Sequence, residues 1–299
     1  MNTDAGLKLL RDLEWVWSRP HFVQRAWDPQ VLDSAFFERH QADFLKLISQ
    51  CQKDLAPLMG FLAGTPRTYK LGLYAQALFE FVLRNLPGVR VLMVDEPCRV
   101  LSPQGARTTE GALDFLIHDQ RVDHFIHIEF AVKVMLRKPV SGRPEVSSDW
   151  IGPEGRDRLD LKLGKLHKRQ LPLSRHPYFS ELLRARYQLE ASQIESVTVL
   201  RGLGFVEPEG AWQSTVIDPS QIVGEWWPVD QWGAVGRGEW KWIPKRDWLS
   251  EVSGLELTHF ESLSHKNPRL GIIQSVEPPL QRAILVHTGW PVPQVESLI

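Results

Sequence analysis

Two apolar runs on either side of a short polar stretch constrain this chain more than any other feature. Ala112-Leu113-Asp114-Phe115-Leu116-Ile117 and His127-Ile128-Glu129-Phe130-Ala131-Val132-Lys133-Val134 have the near-two periodicity of β-strands, and both carry charge inside the run. An ionised side chain in a half-buried strand costs on the order of several kcal/mol to desolvate unless it is paired, hydrated or bound to a metal. Asp114, Glu129 and Lys133 therefore require an explanation beyond folding.

If residues 111–118 and 124–134 pair as an antiparallel hairpin, alternation of side chains decides which of these groups meet. Asp114 shares a face with Glu129 in two registers. In one it lies opposite Glu129, with a tight turn at Arg121-Val122; in the other it lies opposite His127, with a loop from Asp119 to Val122. In either, His127, Glu129, Ala131 and Lys133 project to the side of Asp114. Carboxylates brought that close raise each other's pKa unless a cation lies between them, and oxygen ligands favour Mg²⁺ or Mn²⁺. Such an ion can activate water against a phosphodiester, with a nearby lysine stabilising the charge that develops.

Composition narrows the partners little. With 35 Lys+Arg against 36 Asp+Glu, the net charge is -1, so nucleic acid would have to be held by a local basic patch. The acid at Asp4 and the early charges do not suit a secretion signal, and no apolar run approaches the roughly 20 residues of a bilayer span. A cytoplasmic protein without a membrane partner is expected. Cys51 and Cys98 have no CxxC or Cys/His spacing and read as isolated reduced thiols, suggesting neither a disulfide nor zinc.

The organisation reads as α/β or α+β: a helical N-terminal portion over 1–69, an α/β core over 70–206, and a Trp-rich subdomain or extension over 207–299. The core should contain a long helix from Leu71 to Leu86, strands over 89–100, 111–136 and 196–206, and helices over 156–170 and 180–188. On the first helix, Gln76 and Glu80 are interior polar residues, and Arg84 is the i+4 partner for Glu80. The last third holds eight of the 12 tryptophans. Within it, Gly236-Arg237-Gly238-Glu239-Trp240-Lys241-Trp242 interleaves basic and aromatic residues as single-strand binders do, although tryptophans lining one face of a core strand are the preferred explanation.

The blocks Arg11-Asp12-Leu13-Glu14-Trp15, Lys70-Leu71-Gly72-Leu73-Tyr74, Gly111-Ala112-Leu113-Asp114-Phe115-Leu116 and His127-Ile128-Glu129-Phe130-Ala131-Val132-Lys133 resemble an uncharacterised bacterial family, the domain of unknown function number 1853. More distantly, the order of a helix with an embedded acid (Glu80), then Asp114, then Glu129 with a downstream lysine resembles the PD-(D/E)XK nucleases. That resemblance implies a restriction endonuclease-like mixed sheet flanked by helices, Mg²⁺ or Mn²⁺ on Asp114 and Glu129, and Lys133 and Glu80 (or Gln76) as further site residues. The pattern departs at Ala131, where the lysine is expected. Lys133 lies one strand step further along on the same face.

A basic stripe adds a separate hint. Arg158, Lys162, Lys165 and Arg169 fall at i, i+4, i+7 and i+11 of the expected helix, and residues 131–176 hold 11 Lys/Arg against 5 Asp/Glu. These are the candidate nucleic-acid contacts. Asp160-Leu161-Lys162 also spells acid-x-lysine, but on a helix those side chains diverge. The leading expectation is a metal-dependent nuclease. The alternatives are a catalytically inactive nucleic-acid- or protein-binding module on the same fold, or an assembly protein using the tryptophan-rich third; oligomeric state is left open.

Overall fold

The computed structural model describes residues 4–66, 70–101, 107–210, 213–235, 238–252, 254–263, 269–277, 279 and 281–291. Four helices come first: α1 (Asp4–Ser18), α2 (Ser34–Lys53), α3 (Ala56–Gly64) and α4 (Leu71–Asn85). The Asp33 carboxylate caps α2 by accepting from the Ala35 amide. Eight residues of α4 are buried, because apolar side chains cover most of its circumference.

Three antiparallel strands follow, β1 (Val89–Leu101), β2 (Arg107–Asp119) and β3 (His124–Arg137). A two-residue β4 (Trp150–Ile151) pairs with the end of β3. The chain then crosses through α5 (Leu159–Lys165), a widened π-helical turn (Leu166–Gln170), a 3-10 turn (Leu171–Arg175) and α6 (Pro177–Tyr187). It returns as β5 (Ile194–Val206), parallel to β3, as a crossover of this length permits. Strands β6 (Ile222–Pro228), β7 (Trp240–Trp242), β8 (Gly271–Ser275) and β9 (Arg282–Val286) complete one nine-stranded mixed sheet of order β1-β2-β3-β5-β6-β9-β8-β7. The sheet therefore runs through the position near residue 206 where the sequence suggests a change of texture.

Alternation of side chains divides the core. One face carries Phe115, Ile117, Ile128, Phe130 and Val199, packed under the N-terminal helices through Trp17, Phe44 and Phe79. The opposite face carries Leu116 and Ile194 beneath α6, and Met135 and Leu200 beneath α5. Asp114, His127 and Glu129 belong to this second face.

A strap over residues 20–32 covers the edge of β5 left open before β6 begins. The Phe22 amide donates to Leu200 O at 2.7 Å, and the Leu32 amide to Thr198 O at 3.0 Å. Gly202 permits the close approach: a Cβ there would lie 2.3 Å from the Phe22 ring. The strap carries no periodicity and is invisible to a reading that takes the first 69 residues as helical.

Tryptophans of the C-terminal third serve as packing. Trp240 is buried edge-on against Trp232, Trp226 donates to Arg137 O at 2.8 Å, and Trp290 donates to Gly152 O at 3.0 Å. Trp242 donates to Leu270 O at 3.1 Å. Trp212, Gly236 and Arg237 lie outside the described residues. Cys51 and Cys98 are both buried and free.

Candidate functional site: a carboxyl pair where two strands part

The β2–β3 ladder runs from Asp119↔His124 to Phe115↔Ile128 and stops there. One further step would pair Asp114 with Glu129, so the hairpin adopts the first of the two registers. At that step the strands separate, β2 staying with β1 while β3 continues along β5 and reaches β4. Asp114 closes the fork: its Oδ2 accepts from the Phe130 amide at 2.9 Å, in place of a strand partner. Residues 131–134 of β3, just beyond the fork, are half-buried between two fully buried stretches.

Glu129 is 1% exposed. Its Oε1 lies 3.0 Å from His127 Nε2, and its Oε2 accepts from Gln170 Nε2. Burial pushes Glu129 up to about 7, against the opposing charge of Lys162 and hydrogen bonds from Asp114. Burial and then the charge of Glu129 push Asp114 up to about 8, although the Phe130 amide opposes this. Near neutral pH the two carboxyl groups hold at least part of a shared proton load. His127 is held down to about 4, chiefly by burial, and so remains neutral, with Nδ1 3.1 Å from Ser196 Oγ. A neutral histidine has one donor and one acceptor nitrogen, and pairing with a carboxylate assigns the donor to Nε2.

Lys162 on α5 is the cation whose charge bears most on Asp114, and it also acts on Glu129. Burial lowers its pKa while the two carboxyl groups oppose that shift. Its Nζ donates to Gln170 Oε1 at 3.3 Å, so Gln170 bridges lysine and carboxylate. The expected single helix over 156–170 is instead a short α5 followed by the π-helical turn. On a regular helix residues 162 and 170 would lie about 80° apart, and the widened turn brings them toward one face. The same change of phase breaks the stripe expected from Arg158 to Arg169. Arg158 precedes the first turn of α5 and pairs with Asp160, while Lys165 and Arg169 are exposed. Lys165 still contributes a favourable charge to Glu129.

The remaining candidates point elsewhere. Lys133 donates to Asp157 Oδ2 at 2.8 Å, and its positive charge reaches Lys162. Glu80 is paired with Arg84 at 2.6 Å, the i+4 partner its sequence position offers. Gln76, one turn earlier on α4, donates to Asp95 Oδ1 at 2.7 Å. The β1–β2 register sets Asp95 across from Asp114, and Asp95 adopts a left-handed backbone with φ 47°. Its charge adds to the upward shift of Asp114.

Beside the fork a cavity of about 640 Å³ is lined by Lys70, Lys133, Arg156 and Lys245, with Asp157 and Glu154 as its acids. Cations thus outnumber acids where β3 emerges. Among the described residues, no group of three or more His, Cys, Asp or Glu side chains is arranged to hold a metal ion. The local donor set is Asp114 and Glu129. Two carboxylates would leave the remaining positions of a hard divalent ion to water or other oxygen ligands.

Fold and site together define a mixed α/β protein with a carboxyl pair, Glu129 buried and Asp114 half-buried, flanked by lysines. A family model, Domain of unknown function (DUF1853), matches residues 11–280, and the chain belongs to that family. No curated protein and no solved structure matches the chain. Among the described residues, no helix is long and apolar enough to cross a membrane.

Proposed function

We propose that this protein is a metal-dependent phosphodiesterase of nucleic acid, built on a PD-(D/E)XK, restriction endonuclease-like plan. The observation that carries this reading is the pairing of Asp114 with Glu129 at the strand fork, with Lys162 as the nearby cation. The succession α4, β1, β2, β3, α5–α6, β5 supports it as a mixed sheet flanked by helices.

Asp114 and Glu129 are the residues that would hold Mg²⁺ or Mn²⁺. The ion would neutralise charge at the scissile phosphate and make bound water more acidic. The Phe130 amide orients Asp114, while His127 and Gln170 orient Glu129, so neither carboxylate has to reorganise when substrate arrives. Lys162 takes the role that the resemblance assigned to Lys133. Held by Gln170 and drawn by both carboxyl groups, it would donate to a non-bridging phosphate oxygen. Lys133, Arg156 and Lys245 would contact neighbouring phosphates from the adjoining cavity. Hydrolysis adds water across one P–O bond, leaving hydroxyl on the departing oxygen and a phosphomonoester on phosphorus.

Incubating the protein with plasmid, single-stranded DNA and RNA, in Mg²⁺ or Mn²⁺ against EDTA, tests the reading. Cleavage abolished by EDTA and by Glu129→Gln is expected. Absence of metal-dependent cleavage on all three substrates would overturn it. A second reading, a binding module without catalysis, draws on Ala131 and on the engagement of Gln76 with Asp95. It predicts binding that survives EDTA and Glu129→Gln yet weakens steeply with salt.

A further inference from the structure

On the face of β5 opposite the carboxyl pair, Arg201 is 3% exposed and has no carboxylate partner among the described residues. Its Nε donates to Val16 O at 3.2 Å and its Nη2 to Trp17 O at 3.0 Å, the last carbonyls of α1, and the Phe37 ring centroid lies 4.9 Å from the guanidinium carbon. A helix C-terminus and an aromatic face both favour a cation, but together they supply only about half an opposing charge plus a quadrupole. Nη1 has no hydrogen-bond partner among the described residues. A buried, uncompensated guanidinium is costly, so its placement beside an open volume is informative.

That volume is a cavity of about 550 Å³ bounded by the end of α1, the strap, α2 and β5. Arg201, Arg19 and Arg25 line it, and Glu38 is the lone acid on its wall. Arg19 is hydrogen-bonded to neutral acceptors, Gln221 Oε1 at 2.9 Å and Ser220 O at 3.3 Å; the charges of Glu251 and Asp218 reach it from outside the cavity wall, and its own charge bears directly on Arg201. Arg25 is exposed and makes no hydrogen bond or ion pair among the described residues. Two guanidiniums that repel each other at a cavity whose wall carries, among the described residues, one acid are arranged for a bidentate oxyanion. The volume exceeds what a bare anion fills and falls within the usual range for small organic ligands, while Leu32 and Phe37 supply an apolar wall.

We propose that this cavity binds a small phosphate monoester with an apolar or aromatic body, its phosphoryl group seated between Arg201 and Arg19 and reached past Arg25. The site lies apart from Asp114 and Glu129 and needs no divalent ion. Titration calorimetry and thermal melts on the full chain in EDTA, with inorganic phosphate, AMP and benzoate as probes, test it. AMP should bind saturably and raise the melting temperature, and phosphate should do so more weakly. Arg201→Met should weaken AMP at least about thirtyfold, and Arg25→Ala about threefold to tenfold. Glu129→Gln should leave binding unchanged. Since Arg201 also caps α1, Arg19→Ala combined with Arg25→Ala provides a test that spares the helix, with a loss of about thirtyfold or more expected. The proposal is overturned by no saturable AMP or phosphate binding, by preference for benzoate, by indifference to the Arg19/Arg25 double substitution, or by loss of binding in Glu129→Gln.

Discussion

Glu129 and Asp28 are buried carboxylates on the same side of the sheet, within one strand of each other, and their chemistry is opposite. Glu129 is paired across the ladder with Thr198, whose hydroxyl donates to Asp28 Oδ2 at 2.6 Å. Asp28 is fully buried, but it also has His21 Nε2 at 2.9 Å and His167 Nε2 at 2.9 Å. Burial pushes its pKa up, and the contacts of His21, Thr198 and His167 outweigh that and hold it at about 2. Glu129 accepts from His127, Gln170 and the Asp114 backbone, and Asp114 from the Phe130 amide, yet the two carboxyl groups face each other, and burial carries them to about 7 and about 8. Depth alone does not decide the fate of a buried acid; the kind of group converging on it does, two imidazoles and a hydroxyl at Asp28 against a second carboxyl group at the fork. Asp28 ties the strap to the sheet, whereas the pair at the fork retains affinity for a proton.

The contrast breaks first on activity. Glu129→Gln should cut metal-dependent cleavage by about a thousandfold or more, roughly 4 kcal/mol of transition-state stabilisation, while leaving the fold intact by circular dichroism. Asp28→Asn should do the reverse in urea melts, costing on the order of 3 kcal/mol because three aligned donors lose their anion.

Stability against pH should separate the sites with opposite signs. A carboxyl group whose folded pKa is raised favours folding below its unfolded pKa near 4, and that contribution is lost as pH rises through the folded value. The pair at the fork should therefore cost several kcal/mol between pH 5 and pH 8.5, at roughly 1.4 kcal/mol per proton and pH unit, an effect that Glu129→Gln reduces. Added Mg²⁺ should restore stability at the upper end. Asp28, with its depressed pKa, contributes stability above about pH 4 that is lost as pH falls through about 2. The smallest expected effect is between lysines: Lys162→Ala should lower cleavage about thirtyfold, and Lys133→Ala less than about threefold. Equal losses from the two lysine substitutions would return Lys133 to the centre of the site.

The sequence made part of this legible. Alternation in two apolar runs put Asp114 and Glu129 on one face in two named registers of the hairpin, and the structure takes the first of them. The long helix ending near residue 85 followed from its apolar circumference. Lys162 was concealed by the π-helical turn, since a stripe drawn with a period of 3.6 sends Gln170 to the wrong side and makes Asp160-Leu161-Lys162 look like surface pairing. Asp28 and His21 lie on a strap with neither helical nor strand periodicity, held by contacts to β5 more than 160 positions away in sequence. Arg201 sits in an otherwise apolar strand, and its role emerges only when the end of α1 is seen to fold over it.

The hydrogen bond from the Phe130 amide to Asp114 has a consequence for reading relatives of this chain. An acid at position 114 completes the backbone accounting of a fork in the sheet, a task that asparagine could share but alanine could not, at a cost of about 1–3 kcal/mol for an orphaned amide. Architecture therefore has its own reason to keep a polar acceptor there, even in a protein that cuts nothing. Glu129 in turn accepts from the Asp114 backbone, so each acid of the pair satisfies a main-chain group on the strand that carries the other, and a chain that lost either would have to close the fork by another route.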